Sequence, residues 1–202
     1  MNDVTSDGYT GRANETTGAD QFNAQTFLIN QVLSGKWTVT LCVVKSVSGG
    51  GVDVPPIVSV QPLVNQVDGQ GNPTQHGIIN GVPVFRLQGG ANAIIADPVA
   101  GDIGLLATAS RDISAVKNNK TSSNPGSQRM FDPADSVYLG SFLSAAPTQY
   151  VQFSEAGITL KSGSATIVVG SDGTVKINGI DFSTHVHTGV VVGAADSGPP
   201  LV

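Results

Sequence analysis

Cysteine occurs once, at Cys42, in a chain of 202 residues. A lone thiol excludes an intrachain disulfide and agrees with synthesis in a reducing cytoplasm. Charge is scarce too: Asp, Glu, Lys and Arg make up 12% of the residues, with a net charge of −5. That balance argues against general nucleic-acid binding, which needs a basic patch. Aromatic residues reach only 5%. Between residues 36 and 120 they are Trp37 and Phe85 alone, both in apolar alternating runs suited to a core. Long apolar runs are also missing. No stretch approaches the ~18 uncharged apolar residues of a membrane-spanning helix. The opening MNDVTSDGYTGRANETTGAD has no apolar run, so no signal peptide is expected. What abounds is glycine, with 25 copies, between short β-branched segments. The composition predicts a soluble, β-rich protein made in the cytosol.

Residues 1–20 are polar and read as a flexible arm. DQFNAQTFLINQVLSGK follows, with Phe22, Phe27, Leu28, Val32 and Leu33 near helical spacing and Gly35 placed as a cap. WTVTLCVVKSV alternates, with Trp37, Val39, Leu41 and Val43 sharing one face of a strand. GGGVDVPP reads as a turn, and IVSVQPLVNQV as a strand in which Pro62 predicts an edge or a bulge. VPVFRLQ, NAIIAD, DIGLLATASRDI and VYLGSFL supply further strands. The polar loop between the last two, around 117–135, is long enough to be functional or mobile. Five or so strands without helical alternation predict a small barrel of the OB type over 21–147, with the short helix at its start.

From about Thr148 the texture changes. YVQFSEAGITLKSGSATIVVGSDGTVKINGIDF is a ladder of short strands broken by EAG, KSGS and GSDG. The pairs Ile158/Leu160, Ile167/Val169 and Val175/Ile177 each fall on one face. Such a ribbon is marginal alone, and its open edges invite pairing with other chains. Self-association about an axis, each chain supplying one wall, gives an intertwined trimeric β-prism or β-helix over 148–183. A monomeric solenoid is the competing arrangement, but so short a segment holds too few coils to stack.

Two of the three histidines, His185 and His187, follow this ribbon in THVHTG. Extended residues two apart project to the same side. Three chains would set six imidazole nitrogens around one axial point, an octahedral arrangement. Zinc prefers four ligands, and copper's tetragonal preference suits threefold symmetry poorly. Iron or nickel remain, and iron is the commoner in cells. A coordinatively full ion is structural, not catalytic. His76, in NPTQHGIIN, reads as an ordinary loop histidine. Asp97, Asp102, Asp112, Asp132 and Asp135 fall in turns, where aspartate serves backbone geometry. No nucleophile motif, phosphate-binding loop or Cys/His cluster is present, so no enzyme activity is expected.

GDIGLLATASRDIS with VYLGSF, and THVHTG followed by SGPP, resemble segments of the central baseplate spike, the membrane-puncturing protein of contractile-tailed bacteriophages. The resemblance covers most of the chain beyond the arm. It implies a homotrimer at the tail tip of the virion, made in the host cytoplasm. An OB collar would attach to the baseplate hub protein, and a triple-stranded β-helix would form the shaft. An apex over 184–202 would hold one iron ion per trimer through His185 and His187. The target would be the host outer membrane, with no nucleic acid or small-molecule substrate. No lysozyme-like insertion is seen, so piercing would be mechanical.

Two other functions fit parts of the chain. A trimeric receptor-binding tail fibre, or adhesin, would carry a broad C-terminal head with aromatics, yet none follows Phe182. A cupin-like metalloenzyme would complete the His185/His187 set with Glu155 and His76.

Overall fold

The computed structural model describes residues 16–67, 71–182 and 184–185. The chain divides into two compact units, Met1–Ser144 and Ala145–Val202. Strands predominate in both, as an all-β fold requires.

The first unit opens on helix α1 (Gln21–Ser34). Asp20 starts it by accepting the Asn23 N–H at 2.8 Å, the usual work of an N-cap carboxylate. Gly35 ends it in a right-handed conformation, its N–H returning to Leu33 O. Nine strands follow in chain order: β1 (Val39–Gly50), β2 (Val54–Pro62), β3 (Gln66–Val67), β4 (Pro73–Thr74), β5 (Ile79–Pro83), β6 (Leu87–Gly89), β7 (Asn92–Ile94), β8 (Ile103–Thr108) and β9 (Ser136–Ser141). The main sheet runs β5-β2-β1-β8-β9, while β3-β4 and β6-β7 stand apart as two-stranded ribbons. All pairs within the main sheet are antiparallel. The sheet curls until its two edges approach. A parallel bridge joins Val84 to Tyr138, and the Phe85 N–H donates to Tyr138 O at 2.8 Å.

Inside the curl lie Cys42, Val44, Val58, Val60, Val82, Leu106 and Tyr138, all at most 1% exposed. The inward face of β1 is therefore Cys42/Val44, the parity opposite to Trp37, Val39, Leu41 and Val43. Leu41 and Val43 are half-buried and Val39 is exposed. Both parities of LCVV are apolar, so alternation alone does not choose between them. The register that sets Cys42 opposite Pro62 and Gly104, and Val44 opposite Val60, turns this parity inward. Nor does Phe85 join the core, being 55% exposed. Trp37 is half-buried.

Two strand expectations change, while Pro62 keeps a locally open side: it closes β2 opposite Cys42 of β1, beyond Val60 where the β5 ladder stops, and both ladders of β2 carry register shifts. The residues read as a turn, Val54–Pro56, already belong to that strand. VPVFRLQ breaks after Pro83, and NAIIAD keeps only Asn92–Ile94. Arg86 draws the chain out of the sheet there. Its guanidinium donates to Gly51 O at 2.6 Å and to Asp97 Oδ1 at 3.1 Å.

The segment between β8 and β9 is organised. It contains helix α2 (Ser114–Asn119) and a single 3-10 turn at Pro133–Asp135. Arg129 bonds Asp112 at 3.0 Å and Asp135 at 3.2 Å, and both carboxylates are buried.

The second unit is an antiparallel meander: β10 (Gln149–Ser154), β11 (Gly157–Ser162), β12 (Ala165–Gly170), β13 (Val175–Ile177) and β14 (Ile180–Asp181), in sequential order. Two-residue turns join its strands except β12 and β13, which residues 171–174 connect. Asn178 and Gly179 take φ of 50° and 81°, the left-handed pair that suits an Asn-Gly hairpin.

Candidate functional site

Register in the meander decides which side chains share a face. Val151 stands opposite Leu160, Leu160 opposite Ile167, Ile167 opposite Ile177, and Ile177 opposite Ile180. A second row runs Phe153, Ile158, Val169, Val175, and the Phe182 N–H meets Val175 O at 2.8 Å to extend it. Paired residues project to the same side, so both rows form one apolar face. The other face carries Gln152, Thr159, Lys161, Thr166, Lys176 and Asp181, with Tyr150 and Val168 as its larger apolar side chains. Each pair predicted to share a face does so.

No described residue of this unit is buried. Phe153 is 77% and Phe182 65% exposed, and Ile167, Val169 and Ile177 all exceed 40%. A contiguous apolar face of this kind marks an interaction surface. Covering each large side chain is worth ~1.5–3 kcal/mol at full burial.

The last strand, β14, ends at Asp181, and His185 stands beyond it, not in an extended strand: its backbone N–H donates back to Asp181 O at 3.0 Å. Its Nδ1 lies 2.9 Å from Phe182 O, and its ring faces that of Phe182 at 5.7 Å. A carbonyl oxygen only accepts, so Nδ1 is the donor of this bond, and in the neutral imidazole that leaves the lone pair on Nε2. Metal-binding imidazoles are oriented by this kind of bond on the other nitrogen. His185 thus suits a metal ligand. His187 and the remainder of the expected apex lie outside the described residues, as do residues 1–15 of the expected arm. Among the described residues no group of three or more His, Cys, Asp or Glu could hold a metal ion. A site built from one pair per chain has no need of such a group within a chain.

His76 stands in a loop of the first unit with its ring edge-on to Trp37 at 4.9 Å. Glu155 is exposed in the β10–β11 turn. The five turn aspartates all accept backbone N–H groups, from Gly51, Val99, Ser114, Ala134 and Ile113. Their cationic partners Arg86 and Arg129 escaped the sequence reading. Both pairings span loops with no fixed spacing, and the buried partners of a lone arginine leave no local pattern.

Among the described residues no helix is long and apolar enough to cross a membrane. No protein-family model matches the chain, and no characterised protein sequence matches it.

Proposed function

We propose that this protein is the central spike of a contractile-tail baseplate, a homotrimer that pierces the host outer membrane by force. One observation carries the reading: a five-strand meander with a largely apolar face, interrupted by Gln149 and Ser162 at one end and covered by nothing within the described chain, leads in sequence into His185-x-His187. Three such faces turned to a common axis cover one another, and the polar faces then meet solvent. This is the three-walled shaft, a triple-stranded β-helix in which each chain supplies a wall.

The curled sheet supports an OB-type collar. Its order β5-β2-β1-β8-β9, with the parallel approach of β5 to β9, is the Greek-key path of a five-stranded barrel. The collar binds the baseplate hub protein. At the other end of the chain, Nε2 of His185 and one nitrogen of His187 from each copy would hold one iron ion. Bound there, the ion cross-links three chain ends that otherwise fray. It supplies rigidity and no reaction. A narrow, stiff tip concentrates the contraction force on a small area of membrane.

Light scattering on the purified chain, with metal analysis of the same sample, tests the reading. Three chains and one iron per particle are expected. A monomer, or a trimer with a metal on each chain, would overturn it.

A further inference from the structure

Helix α1 has its apolar side outward. Asn23, Phe27 and Gln31 are half-covered, while Phe22, Leu28, Ile29, Val32 and Leu33 are 57–74% exposed. At 100° per residue the exposed group occupies one continuous arc on the side away from Phe27. The helix contains no Asp, Glu, Lys or Arg, so nothing on it repels a copy of itself. A helix of 14 residues with no buried side chain gains little from propensity alone and needs packing. The preceding 20 residues offer only Met1, Val4 and Tyr9 as large apolar side chains, too few to cover that arc.

The arc has heptad spacing. Phe22 and Ile29 occupy a positions, Gln25 and Val32 occupy d positions, and Leu28 and Leu33 flank the seam. The second heptad, with β-branched Ile29 at a and Val32 at d, disfavours two-stranded packing and leaves three or four strands; the homotrimer reading of the shaft selects three. A single polar side chain in the seam fixes register at a cost in stability, the role open to Gln25. A closed threefold arrangement makes all copies parallel, so each layer of the seam meets its own equivalents.

We propose that α1 is a second trimerisation element: three copies pack their Phe22–Gln25–Ile29–Val32 seams into a parallel three-helix bundle. This rests on the homotrimer reading of the shaft and takes its copy number from it. The occupant of the apolar arc is therefore the chain itself, not the hub protein or a bilayer.

Cysteine cross-linking of the full chain tests it, beside light scattering of the same samples. Gln25→Cys places a thiol in the seam, and Asn30→Cys places one on the opposite, exposed side. Neither position is buried within the chain, and the native Cys42 lies in the barrel core. Under mild oxidation Gln25→Cys should form interchain disulfides on the order of ten-fold faster than Asn30→Cys, reflecting the effective concentration in a bundle. One cross-linked pair and one free seam thiol per trimer are expected, besides the buried Cys42 of each chain. A trimer in which the two variants cross-link equally slowly overturns the bundle and leaves the shaft trimer standing. A monomeric chain overturns both.

Discussion

Asp112 shows what a single side chain does in the first unit. Hydrogen bonds from Ser114 and Ser127, hydroxyls first and then the Ser114 N–H, hold its carboxyl well below the usual carboxylate range, and Arg129 adds to this. A carboxyl depressed in the folded state contributes stability that is complete above the unfolded pKa of ~3.9. That contribution fades as pH falls from there toward the folded value. Asp112→Asn should therefore lower the thermal midpoint most near pH ~7, and the gap to wild type should narrow as pH falls below ~4. Equal gaps at both pH values, read by thermal unfolding, would show that the ionised carboxylate does not tie this segment. The role of Asp112 in a turn was legible from its neighbours in sequence. Its arginine was not, because Arg129 reaches it from across a loop. The same distinction applies to β1, where Leu41 and Cys42 are both apolar and only the register of the finished sheet selects Cys42.

At the scale of elements, the meander was readable strand by strand. Its turns are written locally, in Asn178-Gly179 and in Gly163, whose φ is 57°. Its apolar pairs alternate except at Ile167-Val168-Val169, where both faces are apolar. The break between β5 and β6 was illegible, since it depends on Arg86 grasping the Gly51 carbonyl far away in the chain. The two faces of β12 make a matched experiment. Ile167 lies on the apolar face between Leu160 and Ile177, whereas its neighbour Val168 points to the other side, opposite Thr159 and Lys176. Ile167→Asp would bring three like charges into a shared dry interior, a cost no single chain would bear. Val168→Asp adds a charge to a face that already carries Lys161 and Lys176. Sedimentation or light scattering should find Ile167→Asp deficient in trimers and Val168→Asp near normal. The reverse order, or no difference, would mean that the apolar face does not line the shaft.

On the scale of the whole molecule, the sequence pattern reports copy number only through what one chain leaves uncovered. The meander face, the outward arc of α1 and the paired histidines are where the proposed trimer would place its partners. The curled sheet, with its seven buried apolar side chains, completes a core by itself. In that proposed assembly the curled sheet and the meander use different contacts, so removing the metal ligands should leave the trimer intact. His185→Ala/His187→Ala is expected to remain trimeric while losing the one iron per trimer. Its last residues should then be cut sooner by protease, because the ends are no longer cross-linked. The Phe182 carbonyl refines the expectation for the single variants. With Nδ1 committed to that carbonyl, His185 binds through Nε2, so His185→Gln, whose side-chain amide can still meet the carbonyl, should lose metal as His185→Ala does. In particles carrying the double variant, attachment to the host should persist and penetration should fall. Stoichiometric iron in the double variant, or an iron in wild type that exchanges a water and turns over a substrate, would remove the histidine tip from the account and leave the trimeric shaft to stand on its apolar face alone.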